Sequence, residues 1–256
     1  MSAPPESPTE EPSGEAPLPE APPRRRFGDV VGVAPGNWGV NQVMVGLLVA
    51  VGVVFIGVAI VSAFDPNLDS EAGTLIAQAV VAFALVGVAA LFARISGPGG
   101  PLSSLGFRRA GWGAIGLAFA AWFAYVIVAA QIAPFLQPEQ QDVARDLGVD
   151  NGTASLIIAG LLIVVAAPVS EEVFFRGFMF AGLRRRIPLW PAAAISAAVW
   201  GALHLSGGNI GVAVQLAIFG LLLAWLYEHT GSLWPPIVAH AFNNALAFTL
   251  LVTDTI

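Results

Sequence analysis

Six polar side chains interrupt the apolar second half of this chain, and their types are those used for hydrolysis. An ionisable side chain inside an apolar helix is costly unless it is paired or faces a polar cavity, so it marks a candidate functional site. Carboxylates, imidazoles and amides in such a place could activate a water and stabilise the charge that develops as it attacks. The six candidate catalytic residues are Glu171, Glu172, Arg176, His204, His240 and Asn244.

The spacing of the two acids and the arginine predicts a division of roles between the acids. Glu172 and Arg176 are four residues apart, the separation at which opposite charges pair on one helix. Such a pair would lower the cost of burying both charges. Glu171 lies about 100° away round the helix and is left to face another direction. We therefore expect Glu172 to pair with Arg176 and Glu171 to handle water.

The histidines lie on two later apolar segments. His240 and Asn244 are four residues apart, and Trp200 and His204 repeat that spacing. Three predicted helices would thus supply a carboxylate, an imidazole, and an imidazole with an amide. Counted along ideal helices from their ends on one side of the membrane, Glu171, His204 and His240 lie at depths of about 20, 24 and 12 Å. Helix tilt or an overlong helix must therefore bring them together.

Zinc is an alternative that the sequence leaves open. Glu171, His204 and His240 could serve as three ligands and leave the fourth position to water, as catalytic zinc sites do. Their spacing is not that of the HExxH motif, so no local pattern dictates a metal. The chain has no cysteine, which excludes thiolate ligands, a cysteine nucleophile and disulfides.

Composition identifies an integral membrane protein. The chain of 256 residues is 56% hydrophobic and 11% charged, whereas soluble domains carry about 25% charged residues. Seven apolar segments are long enough for spanning helices of about 20 residues. We therefore predict an all-α, polytopic transmembrane bundle of about seven helices, with the catalytic core in the last four. The segments are 42–64, 74–95, 112–133, 154–182, 188–206, 210–228 and 232–252.

Charge placement predicts the orientation and the domains. Residues 1–26 are rich in proline and glutamate and are expected to form a disordered tail. Residues 27–149 would form the N-terminal transmembrane helices, and residues 150–256 the catalytic helix bundle. If seven helices alternate, most arginines fall on one side, which places the N-terminus in the cytoplasm. The lack of lysine and the abundance of Ala, Gly and Val favour a bacterium, and hence its plasma (inner) membrane.

Three motifs together resemble the CPBP intramembrane proteases, a family that includes the type II CAAX prenyl endopeptidases and bacterial relatives linked to bacteriocin self-immunity. They are Glu-Glu-x-x-x-Arg at Glu171–Arg176, aromatic-x-x-x-His at Trp200–His204, and His-x-x-x-Asn at His240–Asn244. The resemblance covers about residues 150–252. The second motif usually begins with Phe in this family, and we expect Trp200 to alter packing only.

The resemblance implies a membrane-embedded endopeptidase acting on a membrane-associated peptide or protein. It implies that Glu171 activates water with help from His204, and that His240 and Asn244 stabilise the oxyanion. The Glu172–Arg176 pair would organise the site. The family is described both as metalloprotease and as metal-free, so the resemblance leaves zinc open. We expect no nucleic-acid partner.

Two other functions fit the same residues. A non-enzymatic membrane scaffold or bacteriocin-immunity protein could use the polar cluster to bind a partner, because polar side chains also hold membrane helices together. A proton-coupled transporter would also contain intramembrane Glu and His. The sequence shows no internal repeat of the kind common in transporters.

Overall fold

The computed structural model describes residues 36–65, 70–96, 100–136, 152–205 and 209–255. Within these ranges the chain is helical, with no strand. The predicted tail, residues 1–26, lies outside them. The helices are α1 (Val40–Phe64), α2 (Glu71–Ser96), α3 (Pro101–Leu105), α4 (Trp112–Leu136), α5 (Thr153–Arg184), α6 (Leu189–Ala202), α7 (Ile210–Thr230) and α8 (Trp234–Thr255).

Six of these helices, α1, α2, α4, α5, α7 and α8, are long and apolar enough to cross a membrane. The predicted polytopic bundle is confirmed, and the protein is a multi-pass membrane protein. The prediction of a spanning helix at 188–206 is wrong in length, because the helix found there, α6, has 14 residues and ends at Ala202. The chain turns at once after this helix, where the His204 N–H donates to the Gly201 carbonyl. A spanning helix needs about 20 residues, so α6 is a shorter apolar helix.

Helix α5 is the longest in the described part of the chain, with 32 residues, and it is not uniformly α-helical. Its turns widen to π-helical geometry over Leu162–Ala166 and again over Glu172–Phe180. Wide turns of this kind occur often at functional sites. The second begins at Glu172, the second acid of the sequence pair.

The packing of α6 on α7 depends on small residues. A Cβ added to Gly201 would lie 2.5 Å from the carbonyl oxygen of Ala213, and one added to Gly220 would lie 2.9 Å from the Cβ of Ala197. Small residues let membrane helices approach closely. Helix α7 also packs against α4 and α8, so it connects α6 to the rest of the bundle.

Two long-range contacts hold the C-terminal end of α5. Trp38, fully buried ahead of α1, donates from Nε1 to the Phe178 carbonyl at 2.8 Å. Arg184 donates from Nη2 and Nε to the two carboxylate oxygens of Glu228 on α7, at 2.6 and 3.1 Å. A bidentate arginine–carboxylate pair fixes orientation as well as distance. The end of the helix that carries both acids is therefore anchored to α1 and α7.

Candidate active site

The expected ion pair between Glu172 and Arg176 is present. Arg176 Nη1 lies 2.8 Å from Glu172 Oε1, and both side chains are buried. Arg176 Nη2 also donates to the Gly220 carbonyl on α7 at 3.3 Å. A buried charge is tolerated when it is paired and hydrogen-bonded. The pair therefore stabilises two charges inside the bundle and ties α5 to α7.

His240 on α8 shares the same carboxylate oxygen. Its Nδ1 lies 2.8 Å from Glu172 Oε1. With the proton on Nδ1, the ring donates to Glu172, and this contact directs Nε2 towards Glu171 Oε2, 3.9 Å away. The two acids and this imidazole are thus brought together, although ideal-helix counting placed Glu171 and His240 at different depths. Helix α5 has 32 residues, which is longer than the roughly 20 residues that a straight span needs.

Glu171 faces α6, away from the buried pair. Its Oε2 accepts a hydrogen bond from Trp200 Nε1 at 2.5 Å. Its side chain is 18% exposed, whereas that of Glu172 is fully buried. The angular separation of adjacent residues on a helix therefore gives the two acids different partners and different access to solvent.

His204 lies in the turn that follows α6. Its Nδ1 contacts the Trp200 carbonyl at 2.9 Å, and its ring centroid lies 5.3 Å from that of Trp200. The Trp200 ring is also 5.2 Å from that of His240. Trp200 thus lies between the two imidazoles. Sequence reasoning assigned it to packing, but an indole N–H in an apolar helix needs an acceptor, and that signal was present.

Asn244 lies one helical turn beyond His240 and contacts the other π-helical segment of α5. Its Nδ2 donates to the Ile163 carbonyl at 3.0 Å. In that segment the Ala167 N–H donates to the Leu162 carbonyl, five residues back. In the same pattern, residue 168 would donate to the Ile163 carbonyl. Residue 168 is proline and has no N–H. Asn244 therefore satisfies a carbonyl that Pro168 leaves without a helical partner.

Asn243, the neighbour of Asn244, faces another helix. Trp122 Nε1 on α4 donates to Asn243 Oδ1 at 3.2 Å. This contact joins α8 to α4. It is also an indole N–H bond that lies outside the cluster of acids and imidazoles.

The geometry does not fit the three-ligand zinc site that the sequence allowed. Across the described ranges, no group of three His, Cys, Asp or Glu side chains is arranged to hold a metal ion. Glu171 Oε2 accepts the Trp200 N–H, and His240 Nδ1 contacts Glu172. His204 Nδ1 faces a backbone carbonyl. The described residues therefore do not present Glu171, His204 and His240 as three ligands around one metal position.

Comparison with known proteins shows what the region around this site is similar to. Residues 153–246 match the family model described as type II CAAX prenyl endopeptidase Rce1-like. The chain is 30% identical over 87 residues to YdiL of Bacillus subtilis, whose provisional name is membrane peptidase, covering 33% of this chain and 34% of that protein. It is 29% identical over 93 residues to an uncharacterized 24.3 kDa protein of Escherichia coli, covering 36% and 43%.

A third relative, the uncharacterized protein YyaK of Bacillus subtilis, is 26% identical over 151 residues, covering 56% of this chain and 48% of that protein. The chain thus spans about a third to a half of the length of the curated relatives it matches. No solved structure matches it. The matched range contains both acids, Arg176, both site histidines and Asn244. Residues 153–246 are therefore similar to the type II CAAX prenyl endopeptidase Rce1-like family.

Proposed function

We propose that this protein is an intramembrane endopeptidase that hydrolyses a peptide bond of a membrane-associated peptide or protein. The observation that carries the proposal is the 3.9 Å separation of Glu171 Oε2 and His240 Nε2. This distance is too long for a direct hydrogen bond and suits a shared water. Glu171 is also the acid of the pair with access to solvent. A carboxylate and an imidazole around one water are sufficient for hydrolysis.

In the proposed reaction Glu171 is the general base. It takes a proton from the water as the water oxygen attacks the carbonyl carbon of the scissile bond. The tetrahedral intermediate carries its negative charge on the former carbonyl oxygen. When the C–N bond breaks, the proton held by Glu171 passes to the leaving nitrogen. The products are a new carboxyl group and a new amine, and no covalent enzyme intermediate forms.

The remaining side chains have supporting roles in this proposal. His204 helps to hold the water. Glu172 accepts the Nδ1 proton of His240. When Nε2 also carries a proton, it donates to the oxyanion. Asn244 uses one N–H for Ile163 and has a second for the substrate. Arg176 offsets the charge of Glu172.

The family match supports a hydrolase of the CAAX-protease type, and we propose its glutamate-type, metal-free form. The substrate is proposed to reach the site from the bilayer, because the helices around it present apolar side chains outward. We further propose that the protein resides in a bacterial plasma membrane.

The test compares Glu171→Gln and His204→Ala with a matched histidine variant. His229 repeats the local setting of His204, since its Nδ1 contacts the carbonyl of Trp225, four residues earlier, at 2.9 Å. Loss of a general base typically lowers the rate by about 10² to 10⁴-fold. We expect Glu171→Gln and His204→Ala to abolish cleavage of a quenched-fluorescence peptide library, with and without a prenyl group, in reconstituted vesicles. His229→Ala should retain the wild-type rate.

Retained cleavage in both Glu171→Gln and His204→Ala protein would contradict the proposal. Size-exclusion profiles and thermal unfolding should match the wild type, which separates a chemical loss from misfolding. A Glu171→Gln protein that still complements a cellular phenotype would instead favour a non-enzymatic scaffold or immunity role.

A further inference from the structure

Trp200 makes a contact with Glu171 that packing does not require. The residue is buried on α6, with 1% of its surface exposed. Its Nε1 donates to Glu171 Oε2 at 2.5 Å. An indole nitrogen is a donor only, so the direction of this bond is unambiguous. The hydrogen bond therefore presents a fixed donor to one carboxylate oxygen.

The indole ring is held on several sides. The Arg176 guanidinium lies 4.7 Å from the ring centroid, within the range of a cation–π contact. His204 and His240 meet the ring edge-on, with interplanar angles of 72° and 79°. A ring with neighbours on its face and edges has few accessible rotamers. Its N–H is therefore pre-aligned with Glu171.

The backbone beneath Trp200 is also tightly packed. The next residue, Gly201, approaches α7 so closely that an added Cβ would lie 2.5 Å from a backbone oxygen. Groups held on packed helices are placed more precisely than groups on loops. The position of α6 therefore determines, through the Trp200 hydrogen bond, where the Glu171 side chain on α5 lies.

We propose that Trp200 is a positioning residue for Glu171, an inference that rests on the proposed protease function. Its N–H holds Oε2, the oxygen that also faces His240 Nε2, and so fixes the Glu171 carboxylate beside the proposed water. A phenylalanine at this position would keep the ring contacts and lack the donor. The aromatic residue of the second motif thus sets the orientation of the catalytic base in this chain.

The kinetic test is Trp200→Phe. Losing a hydrogen bond to a charged group should lower kcat roughly 10- to 100-fold, with KM unchanged because the substrate contacts remain. Replacing the N–H of Trp200 with sulfur, as 3-benzothienylalanine, keeps the bicyclic shape and should lower kcat similarly. Trp122→Phe, which loses an indole N–H bond to Asn243, should behave as wild type. Wild-type kcat in both Trp200 variants would overturn the inference.

A second readout is independent of catalysis. In ¹⁵N-tryptophan-labelled protein, the Trp200 indole resonance is the one that disappears in Trp200→Phe. The same resonance should disappear in the protein with the sulfur analogue. We expect Glu171→Ala to move this resonance and to leave that of Trp122 in place. An unmoved Trp200 resonance would overturn the inference. A wild-type protein that cleaves no peptide in the library would contradict the proposed function, and the resonance would still decide whether Trp200 holds Glu171.

Discussion

The adjacent acids Glu171 and Glu172 differ in their hydrogen-bond partners and in their exposure to solvent. Glu172 is fully buried and shares one oxygen between Arg176 and His240, each at 2.8 Å. Glu171 is partly exposed and accepts the Trp200 N–H. A carboxylate committed to two donors is poorly suited to proton transfer, whereas a partly solvated one can exchange a proton with water. The contacts therefore favour Glu171 as the base and Glu172 as the residue that orients the imidazole.

The donor arrangement leads to a prediction about metal removal. Because no three His, Asp or Glu side chains among the described residues are arranged around one metal position, we expect 1,10-phenanthroline to leave proteolysis unchanged. Elemental analysis of the purified protein should find no stoichiometric zinc. Activity that falls with the chelator and returns with added zinc would contradict the glutamate-type mechanism.

At the residue scale, spacing predicted contacts within a helix and missed contacts between helices. The Glu172–Arg176 pair follows from a separation of four residues, which one helix enforces by itself. The bond from Trp200 to Glu171 depends on how α6 approaches α5 and on the rotamer of the indole. The hydrogen bond from Asn244 to the Ile163 carbonyl could be found only after π-helical geometry was known, because an ideal α-helix would pair that carbonyl internally.

Among the elements, α5 is shaped by a proline within its length. Pro168 follows the first π-helical segment and cannot donate to the turn before it. Proline is tolerated inside membrane helices where neighbouring side chains satisfy the backbone groups that it frees. Asn244 on α8 provides that satisfaction. The conformation of α5 near the acids thus depends on a neighbouring helix.

This dependence predicts coupling between Pro168 and Asn244. Asn244→Ala should destabilise the wild-type protein by about 1 kcal/mol, because it leaves the partly buried Ile163 carbonyl without this partner. In a Pro168→Ala background the restored N–H can occupy that carbonyl, so the same substitution should cost less. Thermal or denaturant unfolding in detergent measures both.

Asn243→Ala is the matched control for this cycle. Its partner is Trp122 on α4 and not the backbone of α5, so its effect should be the same with and without Pro168. Equal costs of Asn244→Ala in the two backgrounds would show that Pro168 is not the reason for the contact.

At the scale of the whole molecule, the arginine distribution predicts which end of each helix faces the cytoplasm. The two ends of α5, Thr153 and Arg184, should lie on opposite sides of the membrane if this helix spans it. Composition alone predicted a polytopic helical bundle, because such apolarity leaves no other fold class. It could not predict that α6 ends at Ala202, since Leu203 and Leu205 beyond the helix are as apolar as the residues within it.

Cysteine labelling can test the orientation without background, because the chain contains no cysteine. In intact cells a membrane-impermeant maleimide should label Thr153→Cys, on the predicted outer side. Arg186→Cys, two residues beyond α5, should react only after permeabilisation. Its reaction in permeabilised cells is also the control that this cysteine can be labelled. The reverse pattern would invert the predicted topology, with the N-terminus outside.

The short length of α6 has a consequence for the lipid around the protein. Fourteen residues span about 21 Å, whereas the hydrocarbon core of a bilayer is about 30 Å thick. Lipids adapt to such hydrophobic mismatch by thinning locally, at a modest energetic cost per ångström. His204 follows directly after the end of this helix. Local thinning around α6 would therefore bring the headgroup region, and with it bulk water, closer to this imidazole.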